Sequence, residues 1–115
     1  MKIISRSEFL NLTKPTIFSK VTLLEGQYII EDDLNILYPS YYINDFEVLP
    51  LNISYNIECT DSSDIVEKID TLEQGQSVNL EYDSIMRDGL FEDDIKFAIF
   101  EQKDLDRIKK VINSL

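Results

Sequence analysis

The chain contains no histidine, one cysteine, three glycines and three prolines. Each scarcity closes off a class of chemistry. Without histidine the commonest general base and metal ligand is missing, so neither a Ser-His-Asp nor a Cys-His device can be assembled. Cys59 has no second cysteine for a disulfide and no histidine with which to share a zinc ion. Gly26, Gly75 and Gly89 stand alone, so no glycine-rich phosphate loop is present. No stretch reaches the roughly 20 apolar residues of a membrane helix. Lys2 and Arg6 bring charge before a signal core could form. These features predict a cytoplasmic protein without membrane contact, in which the Asn-x-Ser/Thr triplets at Asn11 and Asn52 are chance matches.

What is present describes one folded domain. The 115 residues fit a single core and would not divide into two adequate ones. A hydrophobic content of 43% is ordinary for a folded protein and too high for a disordered acidic tail. Against 11 Lys and Arg stand 22 Asp and Glu, a net charge of −11. Phosphate backbones and anionic lipids repel such a chain, so direct nucleic-acid binding is disfavoured and basic protein partners are favoured.

The acidity is unevenly placed. Residues 1–20 carry a net +3, residues 68–115 a net −4, and residues 21–67 a net −10 without a single Lys or Arg. Five of the six tyrosines, Tyr28, Tyr38, Tyr41, Tyr42 and Tyr55, lie in that acidic segment. Tyrosine combines a large contact area with a polar tip and is enriched in interface cores. The candidate partner-binding residues are therefore Glu31, Asp32, Asp33, Tyr41, Tyr42, Asp45 and Glu47. The competing structural reading makes these acids the solvated face of a sheet and the tyrosines part of its core.

Periodicity predicts an α+β fold. Ser5 and Glu8 form an S-x-x-E capping box before Phe9 and Leu10, and Pro15 ends that helix. Strand patterns follow from Thr16, with a hairpin across Glu25-Gly26 and further strands at Leu34–Tyr38 and Tyr42–Leu49. Ile53, Tyr55, Ile57 and Cys59 alternate with polar residues, which predicts a half-buried strand with Cys59 in the core. Ile65, Val66, Ile69 and Leu72 predict a helix capped by Gly75. Val78, Leu80 and Tyr82 predict another strand, and Arg87-Asp88-Gly89 a turn with Phe91 as a core anchor. Ile95–Phe100 is apolar on both faces, which suggests a central strand and leaves room for a homodimer. Leu105, Ile108, Val111, Ile112 and Leu115 predict a closing helix, its acids near the start and Lys109 and Lys110 near the end. The expected architecture is a single antiparallel sheet of about five to six strands with two or three helices packed on one face.

Carboxylate-only chemistry finds little support. Glu31-Asp32-Asp33 and Glu92-Asp93-Asp94 are contiguous trios whose side chains diverge. Centring a calcium loop on Gly89 puts Ser84, Met86 and Ile95 at positions one, three and twelve, where oxygen ligands are required. A non-enzymatic protein is expected, with no catalytic residue, no metal site and no cofactor.

Ile4-Ser5-Arg6-Ser7-Glu8-Phe9-Leu10, Thr16-Ile17-Phe18-Ser19-Lys20 and Arg87-Asp88-Gly89-Leu90-Phe91-Glu92-Asp93-Asp94, leading into Phe97-Ala98-Ile99-Phe100-Glu101, resemble a family of small phage and prophage proteins. The resemblance covers both ends of the chain well and the middle poorly, and Pro15 stands where the family pattern has glycine. It implies no reaction or cofactor. It implies a phage accessory context, in which small acidic proteins block host defence systems, CRISPR nucleases among them. The function expected is inhibition of a basic, nucleic-acid-binding host protein. The alternatives are an immunity or antitoxin protein neutralising a basic toxin, and a carboxylate- and metal-dependent enzyme.

Overall fold

Three phenylalanines far apart in sequence organise the interior. Phe9, Phe18 and Phe97 are each at most 1% exposed. The rings of Phe9 and Phe97 stack with centroids 3.8 Å apart, and Phe18 meets Phe9 edge-on at 4.8 Å. Ile4, Leu37, Val48 and Ile99 complete the cluster. The computed structural model describes residues 1–39, 45–61, 64–89 and 94–115, and only the backbone of Asp45, Phe46, Asp88 and Gly89.

The cluster lies on one face of an open antiparallel sheet. Its strands are β1 (Lys2–Ser5), β2 (Thr16–Leu24), β3 (Gln27–Ile30), β4 (Asn35–Tyr38), β5 (Asp45–Pro50), β6 (Met86–Gly89) and β7 (Lys96–Ile99). The spatial order is β1-β7-β2-β4-β5-β6, with β3 paired to β2. Directly opposed residues share a face, so the pairs Ile4↔Phe97, Phe18↔Ile99 and Leu37↔Val48 build one continuous apolar surface. Helix α1 (Arg6–Leu10) lays Phe9 onto it. Strand β7 is flanked by β1 and β2, and Ala98, on its opposite face, is buried as well. The two-sided apolar pattern thus belongs to an interior strand, although β7 lies second from the sheet edge.

Local signals explain the elements that were anticipated. The capping box of α1 forms, with the Glu8 N–H donating to Ser5 Oγ at 3.2 Å and the Ser5 N–H to Glu8 Oε1 at 3.3 Å. Glu25 (φ 49°) and Gly26 (φ 80°) both take positive φ, the signature of a type I′ hairpin turn. Helix α3 (Asp64–Glu73) ends at Gly75, whose N–H bonds Leu72 O while that of Gln76 bonds Thr71 O, a Schellman closure. The closing helix is α4 (Gln102–Asn113).

Three sequence expectations are corrected. Ile53–Cys59 is not a strand. It forms helix α2 (Ile53–Asn56), followed by a single bridge from Ile57 to Leu80. Asn56, expected on the solvent side of that strand, is 2% exposed, whereas Ile53 and Tyr55 face outward and Cys59 is exposed. Its amide explains the reversal, since Nδ2 donates to Pro50 O at 2.8 Å and to Asn52 O at 2.7 Å. Of Val78–Tyr82 only Leu80 pairs, through the same bridge. Arg87-Asp88-Gly89 is not a turn but part of β6, with Glu47↔Arg87 and Asp45↔Gly89 in register with β5. Strand β1 went unrecognised because four residues with adjacent Ile3 and Ile4 carry no alternation.

Candidate interaction surface

Beyond its pairing with β7 at Val21, β2 continues as a two-stranded arm with β3. The pairs Leu23↔Tyr28 and Leu24↔Gln27 lead to the Glu25-Gly26 tip. Leu23, Leu24, Tyr28, Ile29 and Ile30 are 43–58% exposed, so the arm is apolar and open to solvent on both faces. Lys96 Nζ rests over the Tyr28 ring, 4.6 Å from its centroid.

A bulge separates β3 from β4 and sets the position of the acids. Val21 pairs with Ile30 and the Glu31 N–H donates to Lys20 O at 2.9 Å, yet Phe18 pairs with Asn35. Two more residues therefore lie on this side than the ladder needs. The buried Ser19 hydroxyl faces the carbonyls of Glu31 and Asp33 at 2.5 and 2.6 Å, and its one proton can serve either. Glu31, Asp32 and Asp33 are all exposed. Asp33 Oδ1 accepts from Asn52 Nδ2 at 2.9 Å, which ties the bulge to the start of α2.

The seven candidate residues separate into three groups. Glu31, Asp32 and Asp33 sit together at the root of the arm. Glu47 is half-buried on β5, directly opposite Tyr38 on one side and Arg87 on the other. Tyr41 and Tyr42 lie outside the described residues, as does Phe91, and of Asp45 only the backbone in β5 is described. Folding also dilutes the charge separation seen in sequence. Lys20 and Arg87 join Glu31 and Asp33 around a depression of about 250 Å³ that also holds Asn35 and Tyr55. Glu25 at the tip and Asp32 at the bulge do not line it.

The tyrosines of the acidic segment that are described do not pack the core. Tyr28 and Tyr55 are 50% and 56% exposed and Tyr38 is half-buried, so none of these three belongs to the core. Sequence reasoning marked the acids and missed the apolar arm between them. The signal was the run Leu23-Leu24 and Tyr28-Ile29-Ile30 on both sides of a tight turn, more apolar than a two-stranded ribbon can bury.

Two other surfaces are notable. Helix α4 leaves Val111 and Ile112 exposed beside an apolar groove of about 750 Å³ lined by Phe100, Ile108 and Val111. The helix carries four basic and two acidic residues. Its start is capped by Asp104, which accepts from the Met1 ammonium and from the Glu101 N–H at 2.8 Å, and these bonds hold its carboxyl below the usual range. Around the Ile57–Leu80 bridge, Glu58 and Asp83 lie near Glu81. Desolvation first, then repulsion from Glu58 and Asp83, raises the Glu81 carboxyl above its ordinary value. A raised folded-state pKa favours the fold at low pH, and that advantage is lost as pH rises through it. Glu81→Gln is therefore expected to raise the melting temperature slightly at neutral pH and to leave it unchanged at pH values below the ordinary carboxylate pKa. A thermal melt series in pH checks this.

Among the described residues no cluster of three or more His, Cys, Asp or Glu is placed to hold a metal ion. No helix there is long and apolar enough to cross a membrane. The class defined by the fold is thus α+β, an open antiparallel sheet with an apolar, acid-flanked arm. Compared with known families, curated proteins and solved structures, the chain matches none.

Proposed function

We propose that this protein is a non-enzymatic binding module that engages a basic protein through the β2–β3 arm and the acids around it. The observation that carries this reading is the pairing of exposed apolar residues with exposed carboxylates on one arm. The residues between Val21 and Asp33 expose five large apolar side chains and four carboxylates with no cation of their own. Apolar contact supplies affinity, whereas the carboxylates steer a basic partner and reject acidic ones. Helix α4, with its basic excess, suits such a partner poorly. In a phage setting, the reading becomes inhibition of a basic, nucleic-acid-binding host protein, with carboxylates occupying sites that phosphates would fill.

Charge reversal at the two outlying acids tests the reading. Glu25→Lys/Asp32→Lys is expected to weaken binding of a basic peptide about tenfold at low ionic strength, each lost pair being worth up to about 1 kcal/mol. The difference should shrink at high salt, where exposed charges are screened. Calorimetric titration at two ionic strengths measures it. Equal affinity of the variant and the wild type at low salt would remove the acids from the surface.

A further inference from the structure

We propose that β3 binds an extended segment of the basic partner as an added strand, so that main-chain hydrogen bonds along its open edge hold the segment. The inference rests on the binding reading above and specifies its mode. The type I′ turn fixes the phase of the ladder. Leu24 and Gln27 close the turn, the pairs alternate from there, and the inward bond from the Glu31 N–H to Lys20 O confirms the register. The N–H and C=O groups of Tyr28 and Ile30 consequently point away from β2. Among the described residues no strand pairs with that edge.

Exposed edges are normally blunted by charge, proline or a bulge. Gln27-Tyr28-Ile29-Ile30 has neither charge nor proline, and the bulge begins only beyond Glu31. The edge is instead bracketed by carboxylates, Glu25 at one end and Glu31 and Asp32 at the other. Because Glu25 and Gly26 reverse the chain, the extended run from Gln27 to Glu31 spans about 13 Å. The matching segment therefore has uncharged, β-prone residues at its centre and Lys or Arg at both ends, about five positions apart. A second copy of this chain is the wrong occupant. Antiparallel pairing would set Glu25 of each copy against Glu31 and Asp32 of the other, like charges directly opposed.

The test uses a synthetic peptide, Arg-Lys-Val-Thr-Val-Thr-Lys-Arg, and the full chain. Ile30→Pro removes one outward N–H and leaves the inward ladder intact, which an edge position tolerates. It is expected to weaken peptide binding at least about tenfold. A peptide N-methylated at its two central valines, with all charges kept, should lose as much on the unaltered protein, whose fold is then not in question. If the Ile30→Pro variant and the N-methylated peptide both bind as tightly as their parents, strand addition is wrong while the acidic-surface reading stands. If the parent peptide does not bind at all, both readings fail. A concentration-dependent dimer that Ile30→Pro abolishes would assign the edge to a second copy and also overturn the proposal.

Discussion

Replacing Phe97 by alanine is expected to destabilise the fold by about 3–5 kcal/mol, the range for removing a buried phenylalanine. Phe97 is fully buried, sits on the interior strand β7, and touches the rings of both Phe9 and Phe18. Those two rings come from α1 and β2 and already pack on each other edge-on, so filling the space would disturb that contact as well. Domains of this size are stable by about 5–15 kcal/mol in total. The variant should thus lose a large part of its stability, and urea unfolding should show a lower midpoint at unchanged slope. Tyr55→Ala, at an exposed position outside the cluster, should change stability by no more than about 0.5 kcal/mol. Similar losses for the two variants would mean that the phenylalanine cluster does not organise the core.

The second large effect is expected at Asn56. Its side-chain amide donates to two carbonyl oxygens while being almost wholly buried, and among the described residues Oδ1 has no hydrogen-bond partner. Asn56→Asp keeps the shape but replaces the donor with an oxygen facing those carbonyls. At neutral pH an uncompensated buried carboxylate of this kind costs about 3 kcal/mol or more. Burial and the carbonyl dipoles raise the pKa of the new group. Its penalty is therefore full above that pKa and fades as pH falls, when the protonated acid can donate to one carbonyl. Urea unfolding of wild type and variant at neutral and acidic pH should show a gap that narrows in acid. No gap at either pH would mean that Asn56 acts by shape alone.

Asn56 also shows where sequence reasoning lost the fold. The alternation from Ile53 to Cys59 fits a strand as well as any segment in the chain, but it assigns the apolar residues to the wrong side. A buried amide bonding back to Pro50 and Asn52 turns the chain into α2, and no period of hydrophobicity encodes that bond. Where the signal was local, it sufficed. The Ser5–Glu8 box, the Glu25-Gly26 turn and the Gly75 cap are set by neighbouring residues and appear as expected. Arg87-Asp88-Gly89 has turn chemistry but lies in β6, because pairing with β5 outweighs the local preference. The acids of the candidate surface were legible as a charge-segregated run. The approach of Lys20 and Arg87 to Glu31 and Asp33 was not, since it depends on strand order. Nor was the edge of β3, with which no described strand pairs, because β5 ends at Pro50 opposite Asn35.

The arm as a whole is tested most directly by amide chemical-shift mapping of the isotopically labelled protein, titrated with the basic peptide at low ionic strength. The shifts should concentrate on residues 23–33, be largest at Tyr28 and Ile30 on the outward edge, and fade as salt is added. Shifts centred on α4 with the arm unperturbed would contradict the account.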